Sequence, residues 1–293
     1  MLGPLDLSLY GLTVLFWGTS WIAIGQQIGP VPAEISVFWR FVVAAVLMVG
    51  WVVASGRPMR FPLSAHLRFA TLGACLFSTN FVLFYHGASY LPSGLLAVVF
   101  SLASIVNLLL AALLLGQRID RRVLLGALIG VVGVALMFWP EIAGGTAGTR
   151  ALVGLAFCVA GTLCFCVGNI VSASAQRSGL PVLPATAWGM TYGALLLGLY
   201  GLARGYSFAI EQTVVYVGAL LWLAVTASVV AFAAYLTLLG RIGAARAGYA
   251  TVMFPIVALA ISTVVEGYQW TPAAVAGLLL ALAGNLFVLR RRA

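Results

Sequence analysis

Two polar aromatic residues, Tyr85 and His86, stand side by side near the end of a long apolar stretch of the sequence. An imidazole titrates near neutral pH, so His86 is the one residue in such a stretch that could link function to protons. Tyr85 offers an aromatic face and a hydroxyl to a ligand. Tyrosine also anchors helix ends at a membrane surface. The pair therefore predicts either an interfacial anchor or a ligand contact.

A single arginine, Arg40, lies inside another apolar stretch, about 9 Å from its start if the stretch is helical. An ionised guanidinium inside a membrane costs at least about 2.5–3.5 kcal/mol. Such a group has to face a cavity, a partner or backbone carbonyls. Arg40 is predicted either to bind a ligand carboxylate through two hydrogen bonds or to fill a structural role at the membrane surface or against helix ends.

Aromatic side chains and an amide in the apolar stretches could also contact a ligand. Trp17, Phe100, Trp188 and Tyr249 could stack on an apolar ligand or face a cationic one, and the Asn80 amide needs hydrogen-bond partners. Packing between helices remains the alternative for each of them. The candidate substrate-binding residues are Tyr85, His86, Arg40, Trp17, Asn80, Phe100, Trp188 and Tyr249.

Several kinds of chemistry lack the residues that they require. The sequence contains no lysine, so no phosphate-binding loop for ATP can form. No aspartate or glutamate lies in the middle of an apolar stretch, which leaves carboxylate proton relays and sodium sites unsupported. The four cysteines have no nearby histidine, so neither a metal site nor a cofactor is expected. His66 and His86 fall at opposite ends of one stretch, and we expect no catalytic residues and no enzymatic activity.

The composition is that of a chain with little water-facing surface. Its 293 residues are 63% hydrophobic and 7% charged, whereas a soluble domain has about 25% charged residues. The sequence predicts an all-α multi-pass membrane protein. Ten stretches have the length of about 20 apolar residues that a bilayer requires: 7–26, 34–54, 67–88, 93–115, 122–139, 151–174, 183–203, 214–237, 246–265 and 271–289.

The arginines between these stretches indicate how the chain is oriented. Twelve of the fifteen fall on one side, Arg150 and Arg204 fall on the other, and Arg40 lies within a stretch. Because basic loops stay in the cytoplasm, both termini are predicted to be cytoplasmic, with residues 290–293 as a basic tail. The net charge of +9 therefore reflects topology, and no nucleic-acid partner is expected. We expect the chain to lie in the lipid bilayer of the bacterial inner membrane.

The two halves of the sequence match each other. Each half would hold five helices, and this odd number places the second half upside down in the membrane. Inverted repeats are typical of alternating-access transporters, whose substrate site lies between the halves near the midplane. Three pairs of identical residues lie 150 positions apart: Gly18 and Gly168, Ser78 and Ser228, and Tyr85 and Tyr235. Three further pairs lie 151 positions apart: Gly116 and Gly267, Gly126 and Gly277, and Gly133 and Gly284.

Several stretches resemble the EamA type of the drug/metabolite transporter superfamily: FWGTSW, VFWRFVVAAVLM, LPSGLLAVVFSLASIVNLLLAALLLGQRI, FCVGNI and MFPIVALAISTVVEG. The resemblance covers nearly the whole chain and implies two EamA repeats, 7–139 and 151–289. Within the family, YHGASYLPSGLLA and AWGMTYGALLLG are similar to YddG-type aromatic amino acid exporters. That similarity implies that Tyr85 and His86 line a pocket.

Two transport functions remain open at this point. The first is export of small metabolites, chiefly amino acids including aromatic ones, by alternating access around a central cavity between the repeats. The alternative is export of lipophilic cations or drugs such as quaternary ammonium compounds, although a cation would need a counter-charge that the apolar stretches lack. Exchange or uniport without proton coupling is favoured. A site between the halves lets a monomer suffice.

Overall fold

The computed structural model of the protein describes residues 3–115, 121–142, 146–242 and 249–289, and in these ranges it is helical with short connections and no strand. This confirms the all-α prediction for the described residues, and the predicted tail 290–293 lies outside them. The helices are α1 (Pro4–Gly25), α2 (Ala33–Ala54), α3 (Leu63–Ala88), α4 (Ser93–Ser101 and Ala103–Leu115), α5 (Arg121–Ile142), α6 (Thr146–Arg177), α7 (Val182–Ala203), α8 (Val214–Leu221, Trp222–Val230 and Ala231–Ile242), α9 (Tyr249–Val265) and α10 (Pro272–Leu289).

Seven of the described helices are long and apolar enough to cross a membrane: α1, α2, α3, α4, α6, α7 and α8. The apolar parts of the other three are shorter, namely Leu124–Pro140 in α5, Val252–Val265 in α9 and Pro272–Phe287 in α10. The prediction of ten transmembrane helices therefore stays a prediction.

The helix boundaries differ most from the predicted stretches at two starts and at the end of α8, which is predicted at residue 237 and lies at Ile242. The stretch predicted from residue 67 begins at Leu63, directly after Pro62, and the stretch predicted from 151 begins at Thr146. Pro62 has a fixed φ that suits the position before a helix, which explains the earlier start of α3. The apolar count missed the start of α6 because its first residues are polar or small, and it missed the start of α3 because polar and small residues follow Leu63.

Corresponding helices of the two halves end in the same way. α2 is followed by Gly56 and α7 by Gly205, each with a φ of +66°. In both turns the N–H after the glycine bonds to the carbonyl five residues earlier. Glycine adopts the left-handed conformation that this closure needs without a steric penalty.

α3 and α8 each contain a π-helical stretch, at Cys75–Thr79 and at Trp222–Val230. Each stretch holds a fully buried serine, Ser78 or Ser228, whose hydroxyl donates to the carbonyl five residues earlier at 2.9 Å. The serines are 150 residues apart, which is the offset at which the sequence halves match. Such π-helical turns interrupt the regular hydrogen-bond ladder and are frequent at functional sites.

α5 and α10 pack closely through glycines. A Cβ atom on Gly277 would lie 2.5 Å from the carbonyl oxygen of Gly133, and one on Gly284 would lie 2.6 Å from that of Gly126. These distances leave no room for a side chain, so the two backbones are in direct contact. Gly277 lies 151 residues after Gly126, and Gly284 lies 151 residues after Gly133. Each contact therefore has the other as its counterpart in the repeat, and the two helices cross with approximate two-fold symmetry.

Candidate functional site

A cavity lies between helices from both halves of the chain. It holds about 520 Å³ of space that protein atoms do not fill, the open volume at its mouth included. Most of its lining is apolar and aromatic with few polar groups, as is typical of small-molecule sites. The lining residues are Trp17, Ser20, Trp21, Ile24, Arg40, Asn80, Phe81, Phe84, Phe100, Phe165, Ala227, Phe232 and Phe254.

Four rings from four helices form the aromatic box of this cavity: Trp21 of α1, Phe84 of α3, Phe100 of α4 and Phe254 of α9. The centroid of the Trp21 ring lies 5.1 Å from that of Phe84, 5.5 Å from that of Phe100 and 6.1 Å from that of Phe254. Contacts of this geometry are favourable between aromatic rings and hold the four helices together. The box also presents a flat apolar surface to a ligand.

Arg40 projects from α2 into the cavity wall and is 2% exposed. Its Nε donates to the hydroxyl of Ser228 at 3.2 Å, and its Cζ lies 4.1 Å from the centroid of the Phe81 ring. Among the described residues, no carboxylate forms a salt bridge with the guanidinium, and Nη1 is buried without a hydrogen-bond partner. A buried donor without a partner is costly, so Nη1 is available to an acceptor on a ligand.

Asn80 lines the same cavity from α3 and is 1% exposed. Its Oδ1 has no hydrogen-bond partner within the described part of the chain. Asn80 directly follows the π-helical stretch Cys75–Thr79. The extra residue in a π-helical turn shifts the residues that follow it around the helix axis. This shift contributes to the placement of the amide in the cavity wall.

Trp17 connects α1 to the π-helical stretch of α8. Its Nε1 donates to the carbonyl of Ala227 at 3.2 Å, and its ring centroid lies 5.0 Å from that of Tyr235. A π-helical stretch frees carbonyls from the regular ladder, and such carbonyls can then accept bonds from other helices or from ligands. The two halves of the chain are therefore linked at the cavity wall by the Trp17 bond as well as by the Arg40 bond.

Of the eight predicted site residues, four line the cavity: Trp17, Arg40, Asn80 and Phe100. Tyr85 is fully buried next to the Arg40 guanidinium but is not among the lining residues. Its hydroxyl donates to Oε1 of Gln27 at 2.5 Å. Tyr85 thus supports the wall around Arg40.

Two further predicted residues, His86 and Trp188, are not among the lining residues that the structure describes. Nε2 of His86 lies 3.2 Å from Oε1 of Glu34, and the His86 side chain is 40% exposed. Nε1 of Trp188 donates to the carbonyl of Met59 at 3.0 Å, close to the start of α3. The side chain of Tyr249 lies outside the described residues. Substrate contact by His86, Trp188 and Tyr249 stays a prediction.

Sequence reasoning missed much of the aromatic wall, including Trp21, Phe84 and Phe254. Trp21 follows Trp17 by four residues and Phe84 follows Asn80 by four, so each shares a helix face with a predicted residue. Helical periodicity could have found both of these rings. Phe254 is brought to the cavity by the packing of α9 against α1, and the sequence carries no comparable signal for it.

The chain is similar to several known proteins over nearly its full length. The profile of the EamA-like transporter family matches residues 7–139 and 152–290. A protein of Salmonella typhimurium named "Probable amino-acid metabolite efflux pump" is 25% identical over 291 residues, covering 96% of this chain and 94% of that protein. A "Probable terminal-alkyne amino-acid exporter" of Streptantibioticus cattleyicolor is 28% identical over 287 residues, covering 96% and 92%.

The fold is also similar to that of a solved crystal structure. The TM-score is 0.69 with 17% sequence identity, and the superposition covers 97% of this chain and 96% of the other. At this level of identity the similarity concerns the fold alone.

Proposed function

The chain belongs to the EamA-like transporter family, and on this basis we propose that it exports small metabolites, chiefly amino acids including aromatic ones, across the bacterial inner membrane. Two similar proteins support this proposal: one is named "Probable amino-acid metabolite efflux pump" and the other "Probable terminal-alkyne amino-acid exporter". In the proposed mechanism the halves 7–139 and 151–289 rock against each other and open the cavity to one side at a time. One subunit contains the whole cavity, so a monomer suffices.

The observation that carries this proposal is the combination of an aromatic box with a buried guanidinium in one cavity. The rings of Trp21, Phe84 and Phe100 give an apolar or aromatic side chain a surface on which to stack. Nη1 of Arg40 has no partner among the described residues and suits a carboxylate, which a guanidinium binds through short, charge-assisted hydrogen bonds. An amino acid with an aromatic side chain supplies both partners.

We propose a membrane arrangement of ten helices in two inverted repeats, with both termini in the cytoplasm. The related helix ends at Gly56 and Gly205 support it, as do the related π-helical stretches around Ser78 and Ser228. The distribution of arginines between the helices supports the orientation. In this arrangement, α5, α9 and α10 cross the membrane together with the seven helices whose apolar parts are longer.

Transport in this proposal is exchange or uniport without coupling to protons. His86 is the one histidine near the predicted outer end of α3, and it is bonded to Glu34 and absent from the cavity lining. The lining contains no aspartate or glutamate within the described residues. A proton-coupled cycle would need a titrating group that the substrate or the conformational change reaches.

The alternative substrates are lipophilic cations or drugs such as quaternary ammonium compounds. The aromatic box favours them to some degree, since a cation is attracted to the face of an aromatic ring. Arg40 disfavours them, because its charge in the same wall would repel a cation and no carboxylate of the lining offsets it. The amino-acid proposal uses both features of the cavity.

Growth of cells in the presence of a toxic amino acid tests the proposal. Cells that express the protein should tolerate a several-fold higher concentration of p-fluorophenylalanine than cells without it, and Arg40→Gln should remove the protection. The control is Trp139→Ala on α5, whose side chain is 64% exposed and outside the cavity lining. Protection against methyl viologen but not against p-fluorophenylalanine would favour the cation exporter.

A further inference from the structure

Two polar atoms in the cavity wall have no hydrogen-bond partner in the described part of the chain: Nη1 of Arg40 and Oδ1 of Asn80. Both side chains are almost entirely buried, at 2% and 1% exposure. Most buried polar atoms in folded proteins are paired, and exceptions call for a specific explanation. Their location in the lining of one cavity indicates that a bound molecule supplies the missing partners.

The two atoms are chemically opposite. Nη1 of Arg40 is a donor on a cation, whereas Oδ1 of Asn80 is a neutral acceptor. Phe81, the residue after Asn80, packs its ring 4.1 Å from Cζ of Arg40, and Arg40, Asn80 and Phe81 all line the same cavity. A molecule that satisfies both atoms carries an anionic acceptor and a donor.

The charge of the cavity restricts the molecule further. Arg40 is the only charged residue among the lining residues that the structure describes. An anionic group on the ligand neutralises it, and a cationic donor on the ligand is then stabilised by Oδ1 of Asn80 and by the faces of the aromatic box. A zwitterion has both groups and no net charge, so it enters the wall without leaving a buried charge uncompensated.

We propose that Arg40 and Asn80 bind the two ends of an α-amino acid headgroup, Nη1 of Arg40 donating to the carboxylate and Oδ1 of Asn80 accepting from the ammonium. The side chain of the amino acid then lies against Trp21, Phe84 and Phe100. This inference rests on the proposed function and adds a requirement to it. The transporter selects for a free carboxylate and a free α-ammonium together, and Asn80 determines the second of these.

A third unpartnered atom, Nε2 of Gln27, does not belong to this headgroup site. Gln27 is absent from the cavity lining, and its Oε1 accepts the hydroxyl of Tyr85. Gln27 thus lies behind the wall that holds Arg40. The headgroup site consists of the two lining residues that each have an unpartnered polar atom.

The headgroup site should bind phenylalanine more tightly than analogues that lack either the ammonium or the carboxylate. 3-Phenylpropionate lacks the ammonium and leaves Oδ1 of Asn80 unpaired. Phenylethylamine lacks the carboxylate, leaves Arg40 without a counter-charge and adds a second cation. A site built to hydrogen-bond a group rejects analogues without that group strongly, because its buried polar atoms then stay unpaired.

Competition in liposomes tests the inference with the purified full-length protein. Labelled phenylalanine is taken up by counterflow into liposomes preloaded with phenylalanine, and each analogue is added outside as a competitor. Unlabelled phenylalanine should compete about 10- to 100-fold better than 3-phenylpropionate, phenylethylamine or N-acetylphenylalanine, the range that corresponds to losing one hydrogen bond to a charged group.

Asn80→Leu tests the role of Asn80 directly, since leucine has a similar volume and cannot accept a hydrogen bond. The variant should lose the preference for phenylalanine over 3-phenylpropionate and keep the preference over phenylethylamine, because Arg40 is still present. Asn107→Leu is the matched control. Asn107 is a half-buried amide of α4 that accepts from Asn169 and is absent from the lining, so this variant should keep both preferences.

The outcomes distinguish failure of the headgroup site from failure of the proposed transport function. If wild-type protein exchanges phenylalanine but the analogues compete equally well, the headgroup site is wrong and amino-acid transport stands. An unchanged preference over 3-phenylpropionate in Asn80→Leu also rules out Asn80 as the ammonium partner. If wild-type protein exchanges no amino acid, the proposed function itself fails. Thermal unfolding of each variant controls for folding, and the wild-type competition decides the inference even if Asn80→Leu does not fold.

Discussion

Arg40 and Ser228 show how a charged residue can be held inside a membrane bundle. The hydroxyl of Ser228 accepts from Nε of Arg40 and donates to the carbonyl of Leu223. Both Ser228 and Leu223 lie in the π-helical stretch Trp222–Val230, in which residues five apart face each other along the helix. Ser228 therefore orients the guanidinium, while Nη1 keeps no hydrogen-bond partner within the described residues. In the proposed function, Nη1 binds and releases a ligand carboxylate.

Ser228→Ala should weaken substrate binding more than Ser78→Ala. Both variants lose a local bond of 2.9 Å to a carbonyl five residues earlier, but only Ser228→Ala removes an acceptor from Arg40. We expect about 1–2 kcal/mol of lost stability from this change and an apparent affinity for phenylalanine that is several-fold lower. Thermal unfolding in detergent and counterflow at varied phenylalanine concentration measure the two effects. Equal behaviour of the two variants would contradict an orienting role for Ser228.

The sequence predicted the polar residues of the site better than its apolar walls. Arg40 and Asn80 could be identified because a charge or an amide in an apolar stretch needs an explanation. The rings of Phe165 and Phe254 are ordinary residues of apolar helices, and only the packing of distant helices brings them to the cavity. The chemistry of His86 suggested contact with a ligand; the structure pairs its ring with Glu34, and contact with a substrate stays a prediction.

At the scale of helices, glycine contacts and π-helical stretches shape the bundle. Apolar length predicted where the helices lie, because crossing a bilayer demands that length. It could not predict the break at Leu102 within α4 or the π-helical stretches in α3 and α8, which depend on local hydrogen bonds and on neighbouring helices. The glycine pairs Gly133–Gly277 and Gly126–Gly284 mark the closest helix contact, and their periodic spacing is visible in the sequence.

Gly277→Ala should destabilise the protein, whereas Gly50→Ala should not. A Cβ atom at position 277 would lie 2.5 Å from the carbonyl oxygen of Gly133, while one at position 50 on α2 meets nothing within 4 Å. We expect a loss of about 1–3 kcal/mol for the first variant, as for other overpacked sites. The second should be neutral or stabilising by up to about 1 kcal/mol, because alanine favours helix over glycine. Midpoints of thermal unfolding in detergent compare the two, and equal midpoints would be incompatible with direct backbone contact between α5 and α10.

At the scale of the whole molecule, the two halves meet at the cavity and share its walls. Arg40 bonds to Ser228 and Trp17 to Ala227, so each of these bonds joins a residue of the first half to α8 of the second. If the halves rock as proposed, these contacts change, and opening of the cavity is then linked to the state of the proposed headgroup site. This link is the basis on which a bound substrate could favour one conformation over another.

Reporter fusions test the proposed orientation. Alkaline phosphatase, which is active only outside the cytoplasm, should be active when fused after Ala209 in the loop between α7 and α8. It should be inactive when fused after Arg57 in the loop between α2 and α3. The expectation follows from the excess of arginine on the side of Arg57. The reverse pattern would overturn the orientation and place both termini outside.

Counterflow in liposomes tests the central claim, export of amino acids by exchange, most directly. Purified protein is reconstituted, the liposomes are loaded with a panel of amino acids or with quaternary ammonium compounds, and labelled phenylalanine or methyl viologen is added outside, with and without a pH gradient. We expect labelled phenylalanine to accumulate against aromatic amino acids inside, equally with and without the gradient. Accumulation of methyl viologen alone, driven only by quaternary ammonium compounds inside, would contradict the account and identify the cavity as a site for cations.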